Sequence, residues 1–144
     1  MDNALKVFRD YVKEKGLKDT AQREEILAFL LKAREHLSPE DIYQALRKKD
    51  PKLGRATVFR TMKLLEDCGL ASKVVFADGS GKYERAHGRP HHDHMICVDC
   101  QTALEFESPE IESIQEKVAT EKGFKILWHR HELFGRCRRC AKKT

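Results

Sequence analysis

Two cysteine pairs, Cys97-Val98-Asp99-Cys100 and Cys137-Arg138-Arg139-Cys140, carry the strongest chemistry in this 144-residue chain. Each C-x2-C turn presents two sulfurs to one point. Two such turns supply the four thiolates of the closed tetrahedral set that structural zinc prefers. The intervening run, Gln101 to Arg136, is longer than in a minimal ribbon, so a shared site would staple segments distant in sequence. Four thiolates leave no open position, which disfavours a catalytic zinc. A thiol redox switch built on the same pairs is the alternative from a different class, with disulfides forming reversibly as zinc leaves. Cys68 lies at an apolar helix end and reads as a small core residue.

The second signal is His91-His92-Asp93-His94. On a strand, alternation sends His92 and His94 to one face and His91 and Asp93 to the other. Four donors in a row therefore serve two sites better than one. Imidazole with carboxylate suits iron(II), manganese or zinc rather than a pure thiolate metal. A metallohydrolase would need an open coordination position and a placed general base. No Ser/His/Asp grouping and no helix-borne H-E-x-x-H occurs, so an enzyme is not expected.

These donors are concentrated in one part of the chain. Six of seven histidines and four of five cysteines follow residue 86. Residues 1–86 hold 18 basic and 14 acidic side chains, and residues 87–144 hold 10 and 9, so most of the formal net charge of +5 belongs to the first part. Charged residues make up 35% and hydrophobic ones 40%, an ordinary globular balance. The longest apolar stretch, Ile26–Leu31, falls far short of the ~20 residues a membrane span needs. The acidic start Met1-Asp2-Asn3 is followed by no apolar signal region, so the expectation is a cytoplasmic protein with no membrane partner and with reduced thiols.

The elements that must position the donors follow from periodicity. Leu5, Phe8 and Val12 mark a first helix stopped by Gly16. Thr20 can cap a second, with Ile26, Leu27, Leu30 and Leu31. Ser38-Pro39-Glu40-Asp41 places a cap, a first-turn proline and a carboxylate ahead of Ile42, Ala45 and Leu46. A fourth helix runs from Arg55 to about Cys68, closed by Gly69. Lys73–Phe76 and Lys82–Arg85 read as strands around Asp78-Gly79-Ser80-Gly81. Helices ending in a β-hairpin describe a winged helix, in which the second helix of a helix-turn-helix enters the DNA major groove. At about 100° per residue, Val58, Met62 and Leu65 share a stripe flanked by Thr61. Ala56, Phe59, Arg60 and Lys63 lie on another arc, suited to base and phosphate contacts. Downstream, Thr102–Glu107 reads as a strand. Ser108-Pro109 opens a helix with Ile111, Ile114 and Val118 on one face, and a last strand is expected from Phe124 to Phe134. The fold class is therefore α+β: a winged helix-turn-helix domain over residues 1–87, a hinge at 88–90 (Gly88-Arg89-Pro90), and a small α/β domain over 91–144. The second domain's apolar face is small, and dimerisation is its natural remedy.

The run His91–Cys100 with Glu105-Phe106 resembles the signature of the ferric uptake regulator family. Gly16-Leu17-Lys18 with Thr20, Gln22 and Arg23, Ser38-Pro39-Glu40-Asp41-Ile42-Tyr43, and Ala56-Thr57-Val58-Phe59-Arg60 extend the resemblance over nearly the whole chain. It implies a homodimeric, metal-activated repressor that binds double-stranded DNA at an A/T-rich inverted repeat. It further implies three metal sites. Cys97, Cys100, Cys137 and Cys140 would hold structural Zn2+. His36, Glu84, His92, His94 and Glu105 would form the regulatory site, and His91, Asp93, Glu112 and His129 an accessory one. A regulatory metal shared across the hinge would set the angle between the halves, and hence the spacing of two recognition helices in a dimer. For DNA, the resemblance points to Phe59 and Arg60 in the major groove and Lys18 near the minor groove, with Arg55, Thr57 and Lys63 beside them. The family usually carries Tyr where Phe59 stands, so the phenyl ring keeps a methyl contact and lacks the hydroxyl. No cysteine lies between Cys68 and Cys97, against the zinc-sensing branch, and Glu84 and Glu105 replace the aspartates of the peroxide-sensing branch. Both points lean towards Fe2+ as effector, with Mn2+ or Zn2+ able to substitute; the alternative is a peroxide-sensing or other-metal member. His131, next but one to His129, is expected at the surface.

Overall fold

The computed structural model describes residues 1–143 and divides into two units, Met1–Val75 with Gly79–Arg89, and Phe76–Asp78 with the chain from Pro90 on. In the first unit, helical spacing of apolar residues builds the core. α1 (Asp2–Glu14) buries Ala4, Phe8 and Val12, and α2 (Ala21–Lys32) buries Ile26, Leu27 and Leu30. Thr20 Oγ1 accepts from the backbone N–H of Arg23, capping α2. At the start of α3 (Pro39–Leu46), Ser38 Oγ accepts from Asp41 N at 3.0 Å. Asp41 Oδ2 accepts from Ser38 N at 2.8 Å. Two otherwise orphaned donors are thereby satisfied reciprocally.

α4 (Arg55–Asp67) buries Val58, Thr61, Met62 and Leu65, and Thr61 Oγ1 donates to the carbonyl of Thr57 at 2.7 Å. The opposite arc is open: Ala56, Arg60 and Lys63 are exposed, and Phe59 is 51% exposed, so the phenyl ring does not widen the core stripe. Gly69 follows at φ 77°, a left-handed turn that admits glycine without cost and sends the chain directly into β1. β1 (Ala71–Val75) pairs antiparallel with β2 (Gly81–Arg85). Leu37 joins by a bridge to Tyr83, exchanging hydrogen bonds of 2.8 and 2.7 Å. Four helices and a three-segment sheet make the winged helix read from the sequence.

The second unit is a three-stranded sheet in the order β4-β3-β5 with two helices. β3 (Asp93–Cys97) is central, antiparallel to β4 (Ala103–Phe106) and parallel to β5 (Glu132–Gly135). α5 (Pro109–Glu121) is capped by Ser108, and α6 (Arg138–Ala141) spans a single turn. One expectation is corrected here. The last strand begins at Glu132 rather than Phe124, and residues 124–131 form an irregular run. On α5 only Ala119 is buried, while Ile114 and Val118 are exposed, so that apolar stripe faces outward.

Replacing Ser38 by Ala removes the acceptor for the first turn of α3. We expect a loss of about 1 kcal/mol, read as a lower urea midpoint with an unchanged slope.

Candidate metal centres

Parallel pairing of β3 and β5 brings the two C-x2-C segments together. Cys97 ends β3 opposite Gly135, and Val98 N donates to the carbonyl of Gly135 at 2.9 Å, so Cys137 falls beside Cys97. Cys137 N donates to Cys97 Sγ at 3.4 Å, and Cys100 Sγ lies 3.8 Å from Cys137 Sγ. All four sulfurs lie within 4.8 Å of one another. Four thiolates about 2.3 Å from a tetrahedral zinc stand roughly 3.8 Å apart, so the set fits that ion. Hydrogen bonding already favours ionisation on one side. The Thr102 hydroxyl and backbone N–H lower the Cys100 thiol to about 5, and the Cys137 N–H lowers that of Cys97. On the other side, hydrogen bonding with Cys137, and then burial, push the Cys140 thiol up to about 12. An Arg136–Asp99 ion pair of 2.9 Å ties the two turns together outside the sulfurs.

A second convergence uses oxygen and nitrogen. His91 Nε2 lies 3.2 Å from both Asp93 Oδ1 and Glu112 Oε1. His129 Nε2 lies 3.2 Å from Glu112 Oε1 and 3.7 Å from Asp93 Oδ1. Despite these short distances, both Asp93 oxygens, Glu112 Oε1 and His129 Nε2 are buried and make no hydrogen bond among the described residues. Lone pairs aimed at one point without a donor carry a desolvation cost that a divalent cation would relieve. The donor set fits such an ion. Glu112 reaches the point from the first turn of α5, and His129 from the irregular run before β5. His131, expected at the surface, is instead partly buried: its Nδ1 is enclosed 3.9 Å from Asp93 Oδ2.

The five residues of the expected regulatory set divide between the units, and each group is ordered locally. In the first unit the Leu37–Tyr83 bridge aligns His36 with Glu84, and His36 Nε2 lies 3.3 Å from Glu84 Oε2. Glu84 is buried in β2 and accepts a 3.0 Å charged hydrogen bond from Arg89 Nη1. In the second unit the β3–β4 register sets His94 directly across from Glu105. His92 Nε2 stands 3.8 Å from Glu105 Oε1, and its ring meets that of His94 edge to face at 4.9 Å.

Comparison with known proteins decides the family. The model of the "Ferric uptake regulator family" matches residues 14–134. The chain belongs to the ferric uptake regulator family. It is 41% identical to the ferric uptake regulation protein of Campylobacter jejuni over 96% of this chain and 89% of that one. The solved ferric uptake regulator of Helicobacter pylori, described as having three functional metal-binding sites, superposes with a TM-score of 0.84 at 34% identity. That match covers 97% of this chain and 93% of that one. The Pseudomonas aeruginosa regulator, solved with manganese, gives 0.76 at 35% identity over 90% and 97% of the two chains. This chain is thus a metal-responsive transcriptional regulator, of a family whose members bind DNA, act as dimers and are not enzymes.

As a ferric uptake regulator family member, the chain engages some candidate DNA contacts internally. Arg55 pairs with Glu40 at 3.0 Å and lies over the Tyr43 ring at 4.4 Å, and Lys63 pairs with Asp67 at 3.2 Å. Arg60 enters no ion pair among the described residues, and its neighbour Phe59 is equally open. Lys18 is exposed and Thr57 half-buried. Among the described residues, no helix is long and apolar enough to cross a membrane.

The thiol asymmetry is testable in chelator-stripped protein at pH 7, below the ordinary thiol value of ~8.5. Cys100, ionised above about 5, should be alkylated first, and Cys140, protonated up to about 12, last. Mass spectrometry of a timed iodoacetamide reaction reads the order, and restored zinc should protect all four.

Proposed function

We propose that this regulator senses iron(II) and represses genes of iron homeostasis as a cytoplasmic homodimer on an A/T-rich inverted repeat. The observation that carries this reading is donor chemistry. The regulatory set His36, Glu84, His92, His94 and Glu105 offers imidazoles and carboxylates, a mixture suited to iron(II), and lacks the cysteine that the zinc-sensing branch of the family tends to place there. Manganese(II) serves the same donors, and the Pseudomonas aeruginosa relative was solved with it. Cys97, Cys100, Cys137 and Cys140 would keep zinc permanently, and His91, Asp93, Glu112 and His129 would form the accessory site.

Bound iron(II) would supply only charge and coordination. Its ligands come from both sides of residues 88–90, so joint ligation makes the relative arrangement of residues 1–87 and 91–144 depend on occupancy. Linkage then couples metal to operator affinity in both directions. In a symmetric dimer that arrangement sets the separation of two α4 helices, which must match two half-sites. Arg60 is suited to fork onto guanine and Phe59 to touch a thymine methyl, with Lys18, Arg55, Thr57 and Lys63 available to the backbone. The exposed apolar residues of the second unit, among them Ile114, Val118, Leu133 and Phe134, are the surface a second copy would cover.

Fluorescence anisotropy on a labelled A/T-rich inverted repeat, run anaerobically with iron(II), manganese(II), zinc or chelator, tests the reading. Iron(II) should promote binding and chelator abolish it. His92→Ala with His94→Ala should remove the metal dependence, and binding indifferent to metal would refute the sensor. Arg60→Ala should cost about 1–3 kcal/mol per half-site and relax specificity, whereas loss of a phosphate contact would weaken all sequences alike.

A further inference from the structure

His131 has no counterpart among the residues assigned to any metal site, yet its ring is fixed beside one. Its carbonyl accepts from His94 N at 3.2 Å, which ties the backbone to β3, and the Phe106 ring meets the imidazole edge to face at 5.9 Å. Its Nδ1 is buried and has no hydrogen-bond partner among the described residues. Across from it, at 3.9 Å, lies Asp93 Oδ2, also buried and without a partner.

The two oxygens of Asp93 face different groups. Oδ1 turns to His91 Nε2 and His129 Nε2, within the four donors that lie inside 4.8 Å of one another. Oδ2 turns to His131, which stands outside that group. Asp93 is only 2% exposed, so water does not replace a missing donor cheaply. A buried acceptor and a buried donor, each unmatched and facing each other, are the complement each requires. The gap exceeds an ordinary N–H···O distance by about 1 Å, which a small rotation of the carboxylate or ring closes.

We propose that His131 is a positioning residue for a divalent cation at His91, Asp93, Glu112 and His129: its Nδ1–H donates to Asp93 Oδ2 and leaves Oδ1 to ligate. This rests on reading that cluster as the accessory metal site. The hydrogen bond fixes the imidazole tautomer, orients the carboxylate and keeps it monodentate. Partners of this kind typically govern 10- to 100-fold in metal affinity. The accessory site of this chain would accordingly be tighter than the same four ligands beside an apolar residue at position 131.

The test uses the full-length, zinc-loaded protein carrying His36→Ala and Glu105→Ala, which disable the regulatory set. Cobalt(II) is titrated against a competing chelator and followed by its visible absorption bands. The parent should take up one cobalt beyond the structural zinc, and His129→Ala should lose it. His131→Leu and His131→Gln should each weaken this cobalt about 10- to 100-fold while its band positions and intensities persist. His131→Asn, whose amide nitrogen falls where Nδ1 lies, should recover nearly the parent affinity. Unchanged structural zinc content verifies folding in each variant. Parent-like affinity in His131→Leu and His131→Gln, or failure of His131→Asn to rescue, would overturn the proposal. So would altered bands in His131→Leu, because they would make His131 a direct ligand. A parent that takes up no such cobalt would instead remove the accessory-site reading, and the role of His131 with it.

Discussion

Hydrogen bonding of β3 between an antiparallel β4 and a parallel β5 is the constraint on which the donor clusters of the second unit depend. The antiparallel register sets His94 against Glu105, and the parallel one carries Cys137 to the side of Cys97. Alternation along His91–His94 then separates two sets of donors by the width of one strand. A slip of one residue would exchange the faces and leave Asp93 and His129 without each other. Five residues of strand thus contribute Asp93, His94 and Cys97, one to each of the three donor clusters.

Such a sheet has little core of its own. The first unit closes a continuous apolar cluster from Ala4 to Tyr83, whereas the buried apolar residues of the second are Phe76, Ile96, Ala119 and the cysteines Cys97 and Cys140 among those described. Leu127 and Trp128 are 82% and 77% exposed, and the α5 stripe is open. Small domains in this position draw stability from metal and from association, because both bind the folded state and not the unfolded chain. Zinc at four thiolates fits that role, and so does the dimeric habit of the family.

Local signals in the sequence were legible where neighbouring residues supply both partners. The Ser38–Asp41 capping box, the Val58-Met62-Leu65 stripe and the paired cysteines each carry their physics within a few positions, and the structure forms all three. Reading failed where a distant partner decides. The apolar run 124–128 resembles a strand by composition, but pairing with β3 is available only from Glu132 on. His131 looked like a surface residue because nothing near it in sequence reveals Asp93 across the sheet. Arg55 was expected as a DNA contact, and nothing near it in sequence reveals Glu40 and Tyr43, which reach it from another helix. The two nitrogen-and-oxygen ligand sets came from family resemblance rather than from spacing, apart from the two-face division of the histidine run, whereas the four-cysteine set follows from its C-x2-C spacing.

Two buried carboxylates show how differently the units are balanced. Glu84, 4% exposed, is neutralised by the Arg89 guanidinium at 3.0 Å and neighboured by His36, so the first unit can bury it without any added ion. Asp93, 2% exposed, pairs with no Lys or Arg among the described residues; imidazoles stand around it at 3.2–3.9 Å, none in hydrogen-bond geometry, with the Glu112 carboxylate in the same cluster. An imidazole can offset that charge only by holding a proton, whereas a divalent cation offsets it while using the same lone pairs. The winged-helix unit is therefore electrostatically complete as the chain makes it. The buried carboxylate of the sheet unit lacks a Lys or Arg partner among the described residues, and this asymmetry is what the proposed accessory cation site would account for.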